Sequence, residues 1–256
     1  MRFLYWWRHG RLPDLDRPRR FTEWTQWRKL NGGGRAEGLL TDKLHAKVHV
    51  AARTGRELAV PVLWSGTALP VDPPAPLPLM VKANHGCNQY AVVHSAADWD
   101  RVRRLAAGWL GRTYGQWLDE PAYQAARKLL LVEPFLGGAG APLPVDYKVY
   151  VFGGRAAMIQ IHEARATARR WTQFNRSWKR IGGAPSSARP PATLAAMLDA
   201  AEACAAGSDF LRVDFYEVEG RLWFGEYCLY PGSGLDPFEP DSLDFELGRL
   251  WAEARF

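Results

Sequence analysis

Asp214 and Glu226 are the carboxylates of this 256-residue chain whose spacing best suits a divalent cation. They lie in two aromatic and aliphatic runs, Phe210 to Tyr216 and Arg221 to Tyr227, joined by Glu217-Val218-Glu219-Gly220. That pattern reads as a β-hairpin closed by a glycine. The first run alternates, with Leu211, Val213 and Phe215 on one face and Arg212, Asp214 and Tyr216 on the other. The second run is apolar on both faces, so the carboxylate of Glu226 is out of place in it. A three-residue turn, Val218-Glu219-Gly220, would pair Arg212 with Glu226 and Phe224 with Asp214. Asp214 and Glu226 then share a face as diagonal neighbours, ~7–8 Å apart at the backbone, within reach of one or two Mg²⁺ ions. A two-residue turn would put them on opposite faces. The plainer alternative is a cross-strand pair in which Arg212 alone satisfies the carboxylate.

Other residues suit phosphate. Val81-Lys82-Ala83-Asn84-His85-Gly86 ends an apolar strand on a lysine before a polar turn. Such a lysine can reach a phosphate while turn N–H groups assist, or it can simply extend to water. The Gly-rich loop followed by Lys-Ser/Thr that marks a P-loop is absent. Glu133 ends a strongly apolar strand before a Gly/Pro linker, where a backbone can offer N–H and C=O to a flat base. A solvated strand end is the alternative. Asp146 and Lys148 share a strand face, where Lys148 can neutralise phosphate or merely pair with Asp146. Arg165, Arg169, Arg170, Arg176, Lys179 and Arg180, interleaved with Trp171, Phe174 and Trp178, form the most basic segment. Arginine suits bidentate binding of carboxylate or phosphate. Basic residues among aromatics also suit single-stranded nucleic acid, but no RRM, KH or zinc-finger signature supports that. His85 and His162 read as ordinary histidines, with no His/Cys metal spacing.

The elements that must position these groups follow from local pattern. Thr22 to Leu30 reads as a helix stopped by Asn31-Gly32-Gly33-Gly34. Thr41-Asp42 caps a second helix from Lys43 to about Arg53, ending at Gly55. Val60 to Trp64 starts a strand, and the five prolines of residues 66–78 mark a loop. Leu79–Ala83 and Tyr90–Val93 are strands around the turn 84–89. Residues 97–110 and 121–128 read as helical, and Lys128 to Leu136 as a buried strand followed by the linker 137–144. A hairpin, Val145 to Phe152 and Arg155 to His162, turns at Gly153-Gly154. Residues 182–192 read as a loop, 193–206 as an Ala-rich helix, and the chain ends on a short helix. There is no internal repeat. This order implies an α+β fold in two lobes of mainly antiparallel sheet, with a ligand between them. The divisions expected are a helical segment at 1–58, a small lobe at 59–136 and a large lobe at 137–256.

Composition sets the bounds. A 47% hydrophobic and 23% charged chain is that of a soluble globular protein large enough to fold without disulfides. The net charge of +6 favours anionic partners. Cys87, Cys204 and Cys228 show no paired spacing, which fits a reducing compartment. No apolar run is long enough for a signal peptide or a span, so a cytoplasmic protein is expected. Residues 1–20 are aromatic and basic. They are expected to be a solvated arm packed onto the body by its aromatics, the alternative being contact with the inner face of a membrane.

Taken in order, these pieces resemble the TupA-like ATP-grasp proteins of bacterial cell-surface polysaccharide biosynthesis, from about residue 17 onward. The carriers are Arg17-Pro18-Arg19-Arg20-Phe21-Thr22-Glu23 with Trp27 and Leu30; Thr41-Asp42-Lys43; Leu77 to Gly86; Glu133-Pro134-Phe135-Leu136; Asp146-Tyr147-Lys148 with Phe152 and Gly154; and Arg212 to Tyr216 with Phe224-Gly225-Glu226, Tyr230-Pro231 and Ser233-Gly234. The resemblance implies an ATP-grasp fold with ATP and Mg²⁺ between the lobes. Lys43, Lys82, Asn84, His85, Gly86 and Lys148 would bind ATP around the phosphates, and Glu133, Pro134, Phe135 and Leu136 would hold adenine. Asp214 and Glu226 would ligate Mg²⁺, with Lys148 and Arg212 at the reacting groups. ATP-grasp ligases often carry an Asn two residues after that glutamate as a further metal ligand; here the position is Cys228, a poor one. The implied activity is ATP-dependent ligation of a carboxylate to an amine or thiol through an acyl phosphate. Arg165, Arg170 and Arg176 would hold an anionic small-molecule or glycan carboxylate substrate, and no nucleic-acid partner is expected. The alternatives are an ATP-grasp kinase acting on a glycan hydroxyl and a non-catalytic anion-binding module. The acceptor and the oligomeric state do not follow from the sequence.

Overall fold

The computed structural model describes residues 1–32, 34–163 and 170–255. Four helices lead: α1 (Arg2–His9), α2 (Phe21–Asn31), α3 (Arg35–Leu39) and α4 (Lys43–Thr54). Each boundary has a local cause. Gly10 and Gly55 close α1 and α4 in the left-handed conformation (φ 67° and 63°). The Glu23 carboxylate accepts from the backbone N–H groups of Arg19 and Arg20 at the start of α2. Asp42 caps α4 by accepting from His45 N at 2.9 Å.

Strands β1 (Trp64–Gly66), β2 (Leu79–Ala83), β3 (Tyr90–Val93) and β4 (Leu130–Pro134) form an antiparallel sheet in the order β1-β4-β2-β3. Helix α5 (Ala96–Leu110) covers it and shares its core of Leu79, Val81, Val93, Trp99, Val102, Leu130 and Val132. The second sheet has six antiparallel strands: β5 (Asp146–Phe152), β6 (Arg155–Glu163), β7 (Arg170–Asn175), β8 (Arg180–Gly183), β9 (Phe210–Val218) and β10 (Arg221–Cys228), ordered β10-β9-β5-β6-β7-β8. One face carries Val149, Val151, Ile159, Ile161, Val213 and Phe215, packed on α6 (Leu194–Ala205) and on Ala46 and Val50 of α4. The opposite face holds Tyr150, Phe152 and Phe210 under α2 and α7 (Asp241–Ala254).

The mainly antiparallel α+β architecture is as expected, with several local differences. The strand expected from Val60 begins only at Trp64, because Pro61 has no N–H to give a ladder. Residues 121–128 shrink to a single 3₁₀ turn, Pro121–Ala125. The basic segment after residue 169 is a hairpin, β7–β8, which forms the far edge of the large sheet and takes in Gly182 and Gly183. Within the expected arm, residues 2–9 form a helix. Within residues 1–58, α2 and α4 pack on opposite faces of the six-stranded sheet. No described helix is long and apolar enough to cross a membrane.

Candidate active site

The hairpin β9–β10 closes through a two-residue turn, Glu219-Gly220, with both residues at positive φ (52° and 71°). This overturns the expected three-residue turn and its register: Arg221 faces Val218, and Phe224 faces Phe215. A straight continuation would have put Glu226 on the face opposite Asp214. The register shifts between Phe224 and Glu226 instead, and Glu226 then faces Asp214 while Cys228 faces Arg212. The extra residue is Gly225. A Cβ there would meet the Tyr216 ring at 3.0 Å and the Asp214 carbonyl oxygen at 3.1 Å, so glycine is the residue that fits. The bulge therefore makes the two carboxylates direct cross-strand neighbours, closer than the diagonal pair expected.

Asp214 and Glu226 begin a polar row that crosses the sheet. Lys148 faces Asp214, Gln160 faces Lys148, and Gln173 faces Gln160. Five successive strands thus place Glu226, Asp214, Lys148, Gln160 and Gln173 in line on the face that also carries Tyr150. Asp214, Lys148, Gln160 and Gln173 are buried in a surface that is otherwise aromatic and aliphatic. Burial of this kind requires partners. Asp214 accepts from Arg212 Nε at 2.7 Å and Nη2 at 2.6 Å, and from Lys148 Nζ at 2.7 Å. Lys148 also donates to Asp146 at 2.5 Å. Burial alone would raise the Asp214 carboxyl, but Arg212 and Lys148 outweigh it and hold it below the usual carboxylate range. Burial likewise works against the Lys148 ammonium, and Asp146 and Asp214 reverse it, so Lys148 stays charged.

At the β10 edge, where the row ends in Glu226, α4 and the small sheet supply a second charged group. Lys43 and Lys47, one turn apart on α4, and Lys82 at the end of β2 converge on two carboxylates. Lys43 Nζ lies 3.3 Å from Glu226 and donates to the Gly86 carbonyl at 2.7 Å. Glu133, only 2% exposed, takes Lys47 and Lys82 at 2.6 Å each, one per oxygen. Burial would raise the Glu133 carboxyl, yet the two ammonium groups lower it. Lys47 is pushed down by its own burial, because the single carboxylate it shares with Lys82 only partly offsets that cost. Lys43 is raised, with Glu226 outweighing burial.

The other expected residues fall into place unevenly. Asn84 accepts from Leu44 N and donates to the Arg127 carbonyl, both at 2.9 Å, so its side chain ties α4 to the β2–β3 turn. His85 is buried, with its ring on the Trp109 carbonyl at 3.2 Å, and burial lowers its pKa. Pro134 ends β4, and Phe135 N donates to the Pro78 carbonyl at 3.2 Å just before Leu136. Arg176 bonds Glu202 of α6 and the Ala156 carbonyl, on the side of the sheet away from the row. Arg165 lies outside the described residues, as does the side chain of Arg170. Sequence reasoning missed Lys47, Gln160 and Gln173. The i, i+4 spacing of Lys43 and Lys47 was the available signal for the first. The glutamines had only their polarity within apolar strands.

Asp214 and Glu226 present hard oxygen donors side by side, which suits one Mg²⁺ completed by phosphate oxygens. Cys228, on the same face two residues on, is buried, and burial pushes its thiol well above the ordinary value. A neutral thiol does not fit a second such ion. Among the described residues no group of three or more His, Cys, Asp and Glu side chains forms a metal cluster.

The sequence profile described as TupA-like ATPgrasp matches residues 23–252. The fold is similar to that of a D-alanine–D-alanine ligase from Bacillus anthracis complexed with ATP, at 15% identity and a TM-score of 0.52 over 84% of this chain and 64% of that one. It is equally similar to an L-amino acid ligase from Bacillus licheniformis, at 13% identity and a TM-score of 0.52 over 84% of this chain and 50% of the other. The chain therefore spans between half and two thirds of these proteins' lengths. The comparison with curated proteins gives no match.

Proposed function

We propose that this chain, which belongs to the TupA-like ATP-grasp family, is an ATP-dependent ligase that joins a carboxylate to an amine. The observation that carries the reading is the clustering of Lys43, Lys47, Lys82 and Lys148 on Glu226, Glu133 and Asp214, with Asp214 and Glu226 direct cross-strand neighbours. ATP phosphates are the ligand chemistry that four lysines and two adjacent carboxylates accommodate together. Lys43, Lys47 and Lys82 would exchange their present carboxylate partners for phosphate oxygens, and the segment Glu133 to Leu136 would line the adenine. Mg²⁺, held by Asp214 and Glu226, would screen the phosphate charge.

Lys148 sits beside Asp214 in the middle of the row, where it can follow charge developing on a transferred phosphoryl group. Arg212 keeps Asp214 ionised and fixes its orientation. A substrate carboxylate oxygen attacks the terminal phosphorus, the bond to ADP breaks, and an acyl phosphate results. An amine nitrogen then attacks the acyl carbon, phosphate leaves, and the nitrogen loses its proton. Closure of the two sheets over the cleft would keep water from the acyl phosphate. The substrate class favoured is an anionic small molecule or glycan carboxylate of cell-surface polysaccharide synthesis. The neutral amides of Gln160 and Gln173 favour a second reading, phosphoryl transfer to a hydroxyl, because amides suit hydroxyl groups better than a carboxylate.

The test is ADP release with panels of carboxylates and amines. Release that requires both supports the ligase, whereas a stable phosphorylated hydroxyl product assigns the kinase. Glu226→Gln, at a partly exposed position, should keep the fold and lose at least a hundredfold in turnover. Unchanged turnover in a folded Glu226→Gln protein defeats both readings.

A further inference from the structure

Helix α1 is amphipathic the wrong way round for a helix packed on a protein body. Tyr5, Arg8 and His9, at i, i+3 and i+4, form the face that holds it in place. Tyr5 Oη meets Thr22 Oγ1 at 2.9 Å, Arg8 Nε donates to the Leu235 carbonyl at 3.1 Å, and the His9 ring meets the Gly234 carbonyl at 3.1 Å. The opposite face is Phe3, Trp6, Trp7 and Gly10, at i, i+3, i+4 and i+7. Phe3 is 69% exposed, Trp6 49% and Trp7 67%. Gly10, left-handed at φ 67°, turns the chain so that Leu12, 58% exposed, joins them. Phe3, Trp6, Gly10, Arg11 and Leu12 line an open groove on this side. Of the four aromatic residues expected to pack the arm down, Phe3, Tyr5, Trp6 and Trp7, Tyr5 alone is buried.

We propose that this outward face of α1 docks the protein on a lipid bilayer bearing anionic headgroups. Two features favour that occupant over a second copy of the chain. The first is charge. Residues 1–20 hold six arginines against two aspartates, which is most of the net +6 of the chain. Arg2, Arg17 and Arg19 are exposed, and Arg11 lines the groove beside the apolar side chains. Anionic headgroups complement that field, whereas a self-complementary dimer would set arginines against arginines. The second is area. Four partly exposed side chains of this size offer about 500 Å², short of the ~800 Å² per partner of a stable dimer. Trp and Phe rimmed by Arg are the residue types that settle at a headgroup boundary.

The experiment is flotation of the full chain with vesicles of phosphatidylcholine containing phosphatidylglycerol, and with phosphatidylcholine vesicles alone. The wild type should float with the anionic vesicles and remain largely unbound with the neutral ones. Phe3→Ser/Trp6→Ser/Trp7→Ser should lose at least tenfold in bound fraction while its thermal melting is unchanged. Arg2→Glu/Arg17→Glu, which leaves the apolar face intact, should also lose at least tenfold in the fraction bound to the anionic vesicles. A wild type that stays unbound to both vesicles, or a triple variant that binds as well as wild type, overturns the proposal. A concentration-dependent dimer in sedimentation, abolished by the triple variant and unaffected by vesicles, overturns it in favour of self-association.

Discussion

At the scale of single residues, the site is a balance of buried charges in which each ion depends on its neighbours. Lys148 holds two carboxylates, and Asp214 accepts from Arg212 and Lys148 together. Replacing Lys148 by Met should cost about 3–5 kcal/mol in unfolding experiments, because it strands buried negative charge. The same variant should lose at least a hundredfold in turnover, the scale on which a preorganised charge at a developing oxyanion acts. Chemical denaturation and steady-state rates on one preparation check both. Cys228 is the second residue with a sharp expectation. It faces Arg212 and lies two positions past Glu226, where a carboxamide oxygen could ligate and a buried neutral thiol does not. Cys228→Asn should add a second Mg²⁺-binding step, visible by calorimetry in the presence of a non-hydrolysable ATP analogue. A single step identical to wild type would show that position 228 is not aimed at the metal.

At the scale of elements, two features deliver the site. The bulge at Gly225 decides which face Glu226 occupies, and the space there admits no side chain. Gly225→Val should force the strand to shift and weaken Mg²⁺-dependent nucleotide binding by at least tenfold, with a smaller effect on melting. The other feature is the start of α4, which aims Lys43 and Lys47. Asp42 caps it and also takes Arg127 N at 3.0 Å and its guanidinium at 2.9 and 3.0 Å. Burial would raise Asp42, but Arg127 and the N–H of His45 hold it well below the ordinary carboxylate value. A depressed carboxyl stabilises the fold fully above its unfolded pKa, ~3.9. That contribution fades as pH falls through this value toward the folded one. Asp42→Ala should therefore cost about 2–3 kcal/mol at neutral pH. The gap between variant and wild type should narrow below about pH 4, as followed by urea denaturation across pH. Much of this level is readable from the chain: Asp42 and Gly55 bound α4 where the sequence puts them, and β2 and β3 match to the residue. The β7–β8 hairpin escaped because its strands mix arginine, aromatic and glycine without clean alternation.

At the scale of the whole molecule, two sheets with separate cores meet at α4, which packs on the six-stranded sheet while its first turn is stitched to Asn84 of the four-stranded one. A ligand that replaces the Lys43–Glu226 and Lys47–Glu133–Lys82 contacts would couple the two sheets. ATP with Mg²⁺ at about a hundred times its Kd should thus raise unfolding free energy by about 2.7 kcal/mol. It should also slow amide exchange in the 84–89 turn and in β10 together; slowing confined to one sheet would show that the nucleotide does not bridge them. By itself the sequence determined the antiparallel α+β content and the order along the chain of the lysines and carboxylates proposed for phosphate and metal. Those are local properties, set by period, capping and side-chain type. Only the tertiary structure decided that Glu226 faces Asp214, that Lys47 joins Lys82 on Glu133, and that two glutamines extend the row. It also decided that the apolar face of α1 points outward. Register and pairing between distant segments depend on a one-residue bulge and on packing across the fold, and no local pattern encodes them.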